Sequence, residues 1–399
     1  MSLAVRIKLA WIKAFRVAAR LLLSASQAAL FSDVERSSSK TLIRRILVYR
    51  IGNIGDILVT VPTLSAIRKK FPDAHIALLT SPGQPAAVGA EHVLPKGEWY
   101  DELLVYFTPD VRDWKGRARL LRRLREGKFD LFIELPNQQS RPRDELRNMI
   151  VAKLAGCRYA VGFHVSQHAL FLREQTLLPQ VREAERIYGA VSRELYLDGY
   201  QDVRLRVCGA YQAEIGELLQ GFGIDDSEPF VVMHAGAKRQ TNQWPGERYA
   251  RVADEIIGRW RTQVVLTGSQ AEQPLIDHIV ERMREKPAVL CGRIDLPRMA
   301  ALLQRSCMYV GNDTGPMHLA AAVGTPTVSI FGARDFDRRW HPIGTNHEVL
   351  RRDAPCSPCF KEVCDRGLIC LNAIETDDVL SAVGRQFARL GLRVMAEAK

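Results

Sequence analysis

Three short stretches set acids, backbone amides and thiols at intervals that suit catalysis or ligand binding. Gly52, Gly55 and Asp56 lie in ILVYRIGNIGDILVTVP, from Ile46 to Pro62, where a β-branched run gives way through a glycine-containing turn to a helical pattern. Glycines in such a turn let another group approach the backbone, and the following helix opens with free amides. Asp56 adds a carboxylate at the junction; its structural role would be a helix cap, a role for which Asp is favoured and which is worth about 1 kcal/mol. The second stretch is YVGNDTGPMHLAAAVGTP, from Tyr309 to Pro326. Asp313 or Thr314 as cap, Gly315, Pro316 in the first turn and outward-pointing N–H groups make an anion site that suits a diphosphate. His318, one turn in, adds a donor, although alone the segment reads equally as a capped core helix. The third stretch is CSPCFKEVCDRGLIC, which spaces Cys356, Cys359, Cys364 and Cys370 as C-x2-C-x4-C-x5-C. Four such thiolates suit a structural zinc ion, an iron–sulfur cluster takes the same number, and disulfides or free thiols are the other states of the array.

The elements around these stretches alternate. Short β-branched runs are expected as strands at Ile46–Arg50, His75–Thr80, Glu102–Tyr106 and Phe129–Leu135, then at Pro229–Ala235, Gln263–Thr267, Ala288–Cys291, Met308–Asn312 and Thr327–Phe331, with helix-length amphipathic segments between them. That order predicts an α/β protein of two doubly wound domains with a boundary near residues 200–228. Ligands in such folds sit beyond the carboxyl ends of the strands, so the loops after Arg50, His234, Thr267 and Asn312 are where chemistry is expected.

Taken together, RIGNIGD, QWPGERYARVADEI and NDTGPMHLAAAVGTP resemble, in that order, the pattern of glycosyltransferase family 9, the lipopolysaccharide heptosyltransferases, over about residues 44–385. The resemblance implies a GT-B fold, two Rossmann-like domains facing across a cleft: an acceptor domain over 41–205 and a donor-nucleotide domain over 206–399 that includes the Cys-rich loop. It implies an inverting transfer of heptose from ADP-heptose to a lipid A-linked core saccharide, with no catalytic cofactor and at most a structural zinc. Asp56 matches the family's proposed catalytic base, and Asp313, Thr314, Gly315 and His318 match its diphosphate cradle. Thr267, Gly268 and Glu272 fall where the family binds the nucleoside, with Glu272 as ribose partner. One departure stands out: many members carry Lys or Arg ahead of Trp-Pro, and here Asn242 and Gln243 precede Trp244. Lys238 and Arg239 are the nearest upstream cations and the expected replacements.

The 399 residues are 47% apolar and 25% charged, which fits a globular chain of two or three domains and excludes a disordered or fibrous one. Fifty-six Lys and Arg against 45 Asp and Glu leave +11, the signature of an anionic partner. Residues 1–32 carry +5 with no acid, residues 112–128 carry +6, and the remainder balances. The first segment, within a basic N-terminal stretch over 1–40, reads as an amphipathic helix: Arg6, Lys13, Arg16 and Arg20 share one arc, and Leu3, Ile7, Trp11, Ala18 and Leu22 lie opposite. Such a helix rests on an anionic membrane or packs its apolar face on the protein itself. The second reads as one helix, either a solvated face or a docking surface for an anionic acceptor. No run is long and apolar enough to span a bilayer, no convincing signal peptide precedes the fold, and the clustered cysteines suit a reducing compartment. The expected location is therefore the cytoplasmic face of the membrane, with a nucleotide sugar and an anionic lipid-linked saccharide as partners. The competing readings are another donor or acceptor on the same fold, a catalytically inactive scaffold, and a basic nucleic-acid-binding protein with a four-cysteine module. Nucleic acid is not expected, because neither basic residues nor interleaved aromatics surround the cysteines.

Overall fold

The computed structural model describes residues 3–34, 43–85, 89–138, 140–165, 180–225 and 228–392. The polar break at Ser37–Lys40 and the side chain of Leu3 lie outside the described residues. The chain divides into two compact units, residues 1–203 and 204–399.

In the first unit the helix α1 (Leu3–Leu30) leads into a parallel sheet of β1 (Arg45–Tyr49), β2 (His75–Thr80), β3 (Glu102–Val105), β4 (Leu131–Glu134) and β5 (Tyr159–Val161). The strand order β3-β2-β1-β4-β5 reverses between β1 and β4. The crossovers are α2 (Ile54–Leu58), α3 (Val61–Lys70), α4 (Trp114–Glu126) and α5 (Pro142–Leu154), with α6 (Glu183–Leu195) closing the unit. Both sheet faces are covered, so β1, β2 and β4 are buried along nearly their whole length, as parallel strands require. The α4 helix starts at Asp113, whose Oδ1 accepts from Gly116 N at 2.7 Å, and Leu124 is its buried anchor while its arginines face outward.

The α1 helix packs on this unit. Ile12, Ala19 and Leu23 are buried, Gln27 Nε2 donates to Ala160 O at 2.9 Å, and Lys153 Nζ donates to Leu30 O at 2.6 Å. This corrects the expected split between a cationic and an apolar side. Arg16 lies half-buried on the packed flank, where burial lowers its pKa, whereas Ile7, Trp11, Val17, Leu21 and Leu22 are exposed on the other side. Two apolar faces exist, one spent on the protein and one open.

The second unit runs α7 (Gly209–Gln220), β6 (Phe230–His234), α8 (Gly246–Trp260), β7 (Gln263–Thr267), α9 (Gln273–Val280), β8 (Ala288–Val289), α10 (Leu296–Arg305), β9 (Met308–Asn312), α11 (Gly315–Val323), β10 (Thr327–Phe331), β11 (His347–Arg351), α12 (Ile369–Asn372) and α13 (Thr376–Arg389). Its order β11-β10-β9-β6-β7-β8 is again doubly wound, reversing between β9 and β6. The small residues of α11 let it lie buried against β9 and β10, and it stops at Gly324, where φ is +89°. Strands β5 and β11 are absent from the sequence expectation. β5 is only three residues long, and β11 has just two apolar residues, Val349 and Leu350, between polar ones at the sheet edge, so neither shows a long hydrophobic run.

Candidate functional site

In the first unit the chemistry gathers at the carboxyl end of β1, beside the reversal of strand order. Arg50 follows β1 and is only 1% exposed. Its guanidinium donates from Nε to Asp56 O at 3.2 Å and from Nη1 to Leu135 O and Pro136 O at 3.3 and 2.9 Å. Nη2 lies 3.6 Å from both Asp56 Oδ1 and Glu183 Oε1. Arg186 closes the group, donating from Nε to Glu183 Oε2 at 2.7 Å and from Nη2 to Glu183 Oε1 at 2.6 Å. Burial pulls the Arg50 pKa down, and Asp56 and Glu183 oppose it. Two buried arginines and two carboxylates thus balance one another, which a buried charge requires.

Asp56 is the open member of this group. Its Oδ2 accepts from Asn53 N at 3.0 Å, so it does cap α2, yet its side chain remains 23% exposed. Gly52 has φ +141°, and a Cβ there would overlap the Asp56 side chain. The glycine's bare face is therefore occupied by Asp56 itself, while Gly55 lies in the first turn of α2. Beneath this group Glu134, at the end of β4, is buried and accepts from Asn148 Nδ2 at 3.2 Å. Burial and Glu145 push its pKa well up, and burial raises Glu145 to about 7.

In the second unit four strand ends bring the expected donor residues together. Asn312, fully buried at the end of β9, accepts from Trp244 N at 3.2 Å and Tyr249 Oη at 2.8 Å and donates to Ala235 O at 2.7 Å. The Trp-Pro segment is thereby a brace, with Trp244 Nε1 on Ile374 O at 2.9 Å. Asp313 follows, receiving Asn242 Nδ2 on its carbonyl at 2.8 Å and on Oδ2 at 3.3 Å. Burial, then Asp335, raises its pKa to about 7. Thr314 is the N-cap of α11, and Gly315 and Pro316 form its first turn. His318 Nε2 lies 3.9 Å from Asp313 Oδ1, and its ring meets Trp340 edge-on at 5.9 Å. Burial lowers the His318 pKa to about 4, so it is a neutral donor or acceptor at pH 7.

Glu272 sits after β7, accepting from Ser269 N at 2.7 Å and Ser269 Oγ at 2.8 Å. It lies on the bare face of Gly236, where a Cβ would overlap its carboxylate, and 4.0 Å from His234 Nε2. Thr267 Oγ1 bonds His234 Nδ1 at 3.2 Å, and Gly268 comes close to Glu272 and Cys291. Lys238 is exposed and Arg239 half-buried, its Nε 3.3 Å from Glu362 Oε1. Sequence reasoning missed Arg334 and Asp335, which follow β10 at the same carboxyl edge as the others. The strand-end rule would have found them had it been applied after Phe331.

The cysteines are free and, for the four in the loop, half-buried. Cys364 Sγ accepts backbone N–H groups from Arg366 and Leu368, each at 3.3 Å. Among the described residues no group of three or more His, Cys, Asp or Glu is already gathered closely enough to hold a metal ion. No helix of the described residues is long and apolar enough to cross a membrane.

The chain is similar to known proteins along most of its length. Lipopolysaccharide heptosyltransferase 3 of Escherichia coli K12 is 26% identical over 347 residues, 82% of this chain and 94% of the relative. The glycosyltransferase family 9 structure from Veillonella parvula covers 87% of this chain and 98% of its own, with a TM-score of 0.69 at 22% identity. The structure of E. coli ADP-heptose lipopolysaccharide heptosyltransferase II covers 87% and 99%, with a TM-score of 0.61 at 19% identity. The fold is accordingly GT-B, built of two Rossmann-like units. The sequence pattern of glycosyltransferase family 9 (heptosyltransferase) matches residues 117–369, and the chain belongs to that family of glycosyltransferases.

Proposed function

We propose that the protein moves a heptose from ADP-heptose to a hydroxyl of a lipid A-linked lipopolysaccharide core saccharide, with inversion, working peripherally at the cytoplasmic face of the membrane. Asp56 takes the proton of the acceptor hydroxyl as its oxygen attacks the anomeric carbon. The bond from that carbon to the diphosphate oxygen breaks, and ADP leaves. The α11 amides, Arg239 and Lys238 meet the charge growing on the departing phosphate, and neutral His318 donates one N–H. Glu272 takes the ribose hydroxyls. Every proton and charge in this step is assigned to protein groups, so the reading needs no catalytic cofactor.

The observation that carries the reading is Asp56, a part-exposed carboxylate fixed from one side by Asn53 N–H and Arg50 at the ligand-bearing end of β1. The names of the relatives support heptose and ADP-heptose as the transferred group and donor. A transfer assay with ADP-heptose and truncated lipopolysaccharide acceptors tests it: product from the wild type and almost none from Asp56→Asn is expected. Near-normal transfer by a folded Asp56→Asn protein would remove Asp56 from the step.

The open face of α1 supports membrane docking. Ile7, Trp11, Leu21 and Leu22 form an exposed apolar stripe, with Arg6, Lys13 and Arg20 exposed along its border. That pairing suits a bilayer of anionic lipid, apolar groups entering the headgroup boundary and cations meeting phosphate. A structural zinc on Cys356, Cys359, Cys364 and Cys370 is a separate proposal, supported by their spacing and by the two N–H groups on Cys364 Sγ. Binding would draw the loop closed around the ion, and zinc below about a tenth of an equivalent in purified protein would remove it.

A further inference from the structure

The donor site carries more negative charge than its expected ligands offset. Asp335 is buried there and Asp313 is half-buried, His318 is neutral, and the Asn242 amide is already used on Asp313. A diphosphate brings further charge, and the exposed Lys238 and half-buried Arg239 stand at its edge. We propose that Arg334 is a diphosphate-binding residue of this site, acting with Arg239, and that the Cys-rich loop positions both. The inference rests on the donor reading above and extends it to a residue outside the sequence motifs.

Three observations place Arg334. First, its loop continues β10, and Asp313 N donates to Ile330 O of that strand at 3.0 Å. Second, Gly332 lies bare against the Trp-Pro loop: a Cβ there would overlap Thr241 O and come within 3.4 Å of Asn242 Oδ1. Arg334, Asn242 and Asp313 therefore belong to one packed group, and the charges of Arg334 and Arg239 both act on Asp313. Third, the guanidinium is fixed in place without a short hydrogen bond to a carboxylate. Its side chain is 12% exposed, Nε donates to Lys361 O at 2.9 Å, and Nη1 stands 3.6 Å from Asp335 Oδ2, beyond the 2.7–2.9 Å typical of a charge-assisted hydrogen bond. Arginine's planar fork matches two phosphate oxygens at once, which a lysine on a flexible stem does not.

The loop from Pro355 to Cys370 supplies the support. Phe360 N donates to Arg334 O at 2.8 Å, and its ring meets Phe336 at 5.1 Å. Thr241 Oγ1 donates to Lys361 O at 2.9 Å, Cys364 N to Gln240 Oε1 at 2.9 Å, and Glu362 holds Arg239. The segments bearing both arginines are thus pinned by the same few backbone groups.

Titration calorimetry of the full-length protein with ADP and with adenosine, which lacks the phosphates, tests the proposal. Arg334→Ala should weaken ADP by about 10–100-fold, the range of a lost hydrogen bond to a charged group, and leave adenosine within about 2-fold. Arg334→Lys should fall between the wild type and Arg334→Ala for ADP. Unchanged ADP affinity in Arg334→Ala would overturn the proposal, and so would a parallel loss of ADP and adenosine, which would mark Arg334 as a structural brace. A wild type that binds neither ligand would instead overturn the donor reading on which this rests.

Discussion

At the scale of single residues, the first unit separates two jobs that one carboxylate does at once. Asp56 closes the first turn of α2 through Asn53 N and also leaves part of its carboxylate in solvent. Asparagine keeps the acceptor oxygen and loses the base. Asp56→Asn should therefore lower kcat by about 10²–10⁴ and, because Arg50 loses one of its two carboxylates but keeps Glu183, lower the melting temperature without preventing folding, a comparison of turnover with melting curves. The proposed donor site carries a pH signature of its own. Asp313 has its pKa raised to about 7, so it is largely protonated below that value and charged above it. Ionisation would place a negative charge beside a diphosphate bound at the start of α11. ADP affinity should fall as pH rises from 6 to 8.5, and Asp313→Asn should flatten that profile in calorimetry. An equally steep profile in the variant would assign the effect to another group.

At the scale of elements, α5 holds a buried acid that the transfer step does not use. Glu145 lies in its first turn with a pKa raised to about 7, above the ordinary value of 4.5. A folded-state pKa above the unfolded one means that folding takes up a proton between the two values. The stability associated with it is full below about 4.5 and is lost as pH rises through about 7. The melting temperature should decline between pH 5 and 8, and Glu145→Gln, isosteric and uncharged, should lessen that decline. The α1 helix makes a different expectation. Its buried side fixes it to α5 and the edge strand β5, and its open side does nothing for the fold. Ile7→Glu with Leu21→Glu should leave stability within about 0.5 kcal/mol and abolish sedimentation with anionic vesicles. Undiminished sedimentation would move the membrane contact elsewhere.

At the scale of the whole molecule, the charge is partitioned. Residues 1–203 carry +10 and residues 204–399 only +1. Salt shortens the reach of exposed charges to about 8 Å near 0.15 M, while groups inside a packed site are screened far less. Raising ionic strength should thus increase KM for an anionic acceptor more steeply than KM for the nucleotide sugar, as steady-state kinetics with each substrate varied in turn will read. Equal slopes would mean that the basic unit does not recruit the acceptor through its charge.

Much of this was legible in the residue order. The alternation of β-branched runs with amphipathic segments determined two doubly wound sheets, because a parallel strand buried on both faces must read as a continuous apolar run. His75–Thr80, Gln263–Thr267, Met308–Asn312 and Thr327–Phe331 are found with the expected ends. The DTGPMH segment was legible for a similar reason: capping, a proline in the first turn and a small-residue helix are local requirements. Long-range packing decided the rest. That Asp56 shares a buried guanidinium with Glu183, more than a hundred residues away, follows from the closure of α6 onto the end of β1. That Arg16 turns inward while Leu21 stays in water depends on which side of α1 meets α5 and the edge of β5, which the charge pattern of the helix alone does not tell. That Arg334 joins Asp313 depends on β10 lying beside β9 and on the cysteine loop folding back over it. Sequence periodicity reports what each segment requires, and only tertiary structure decides which distant segment satisfies it.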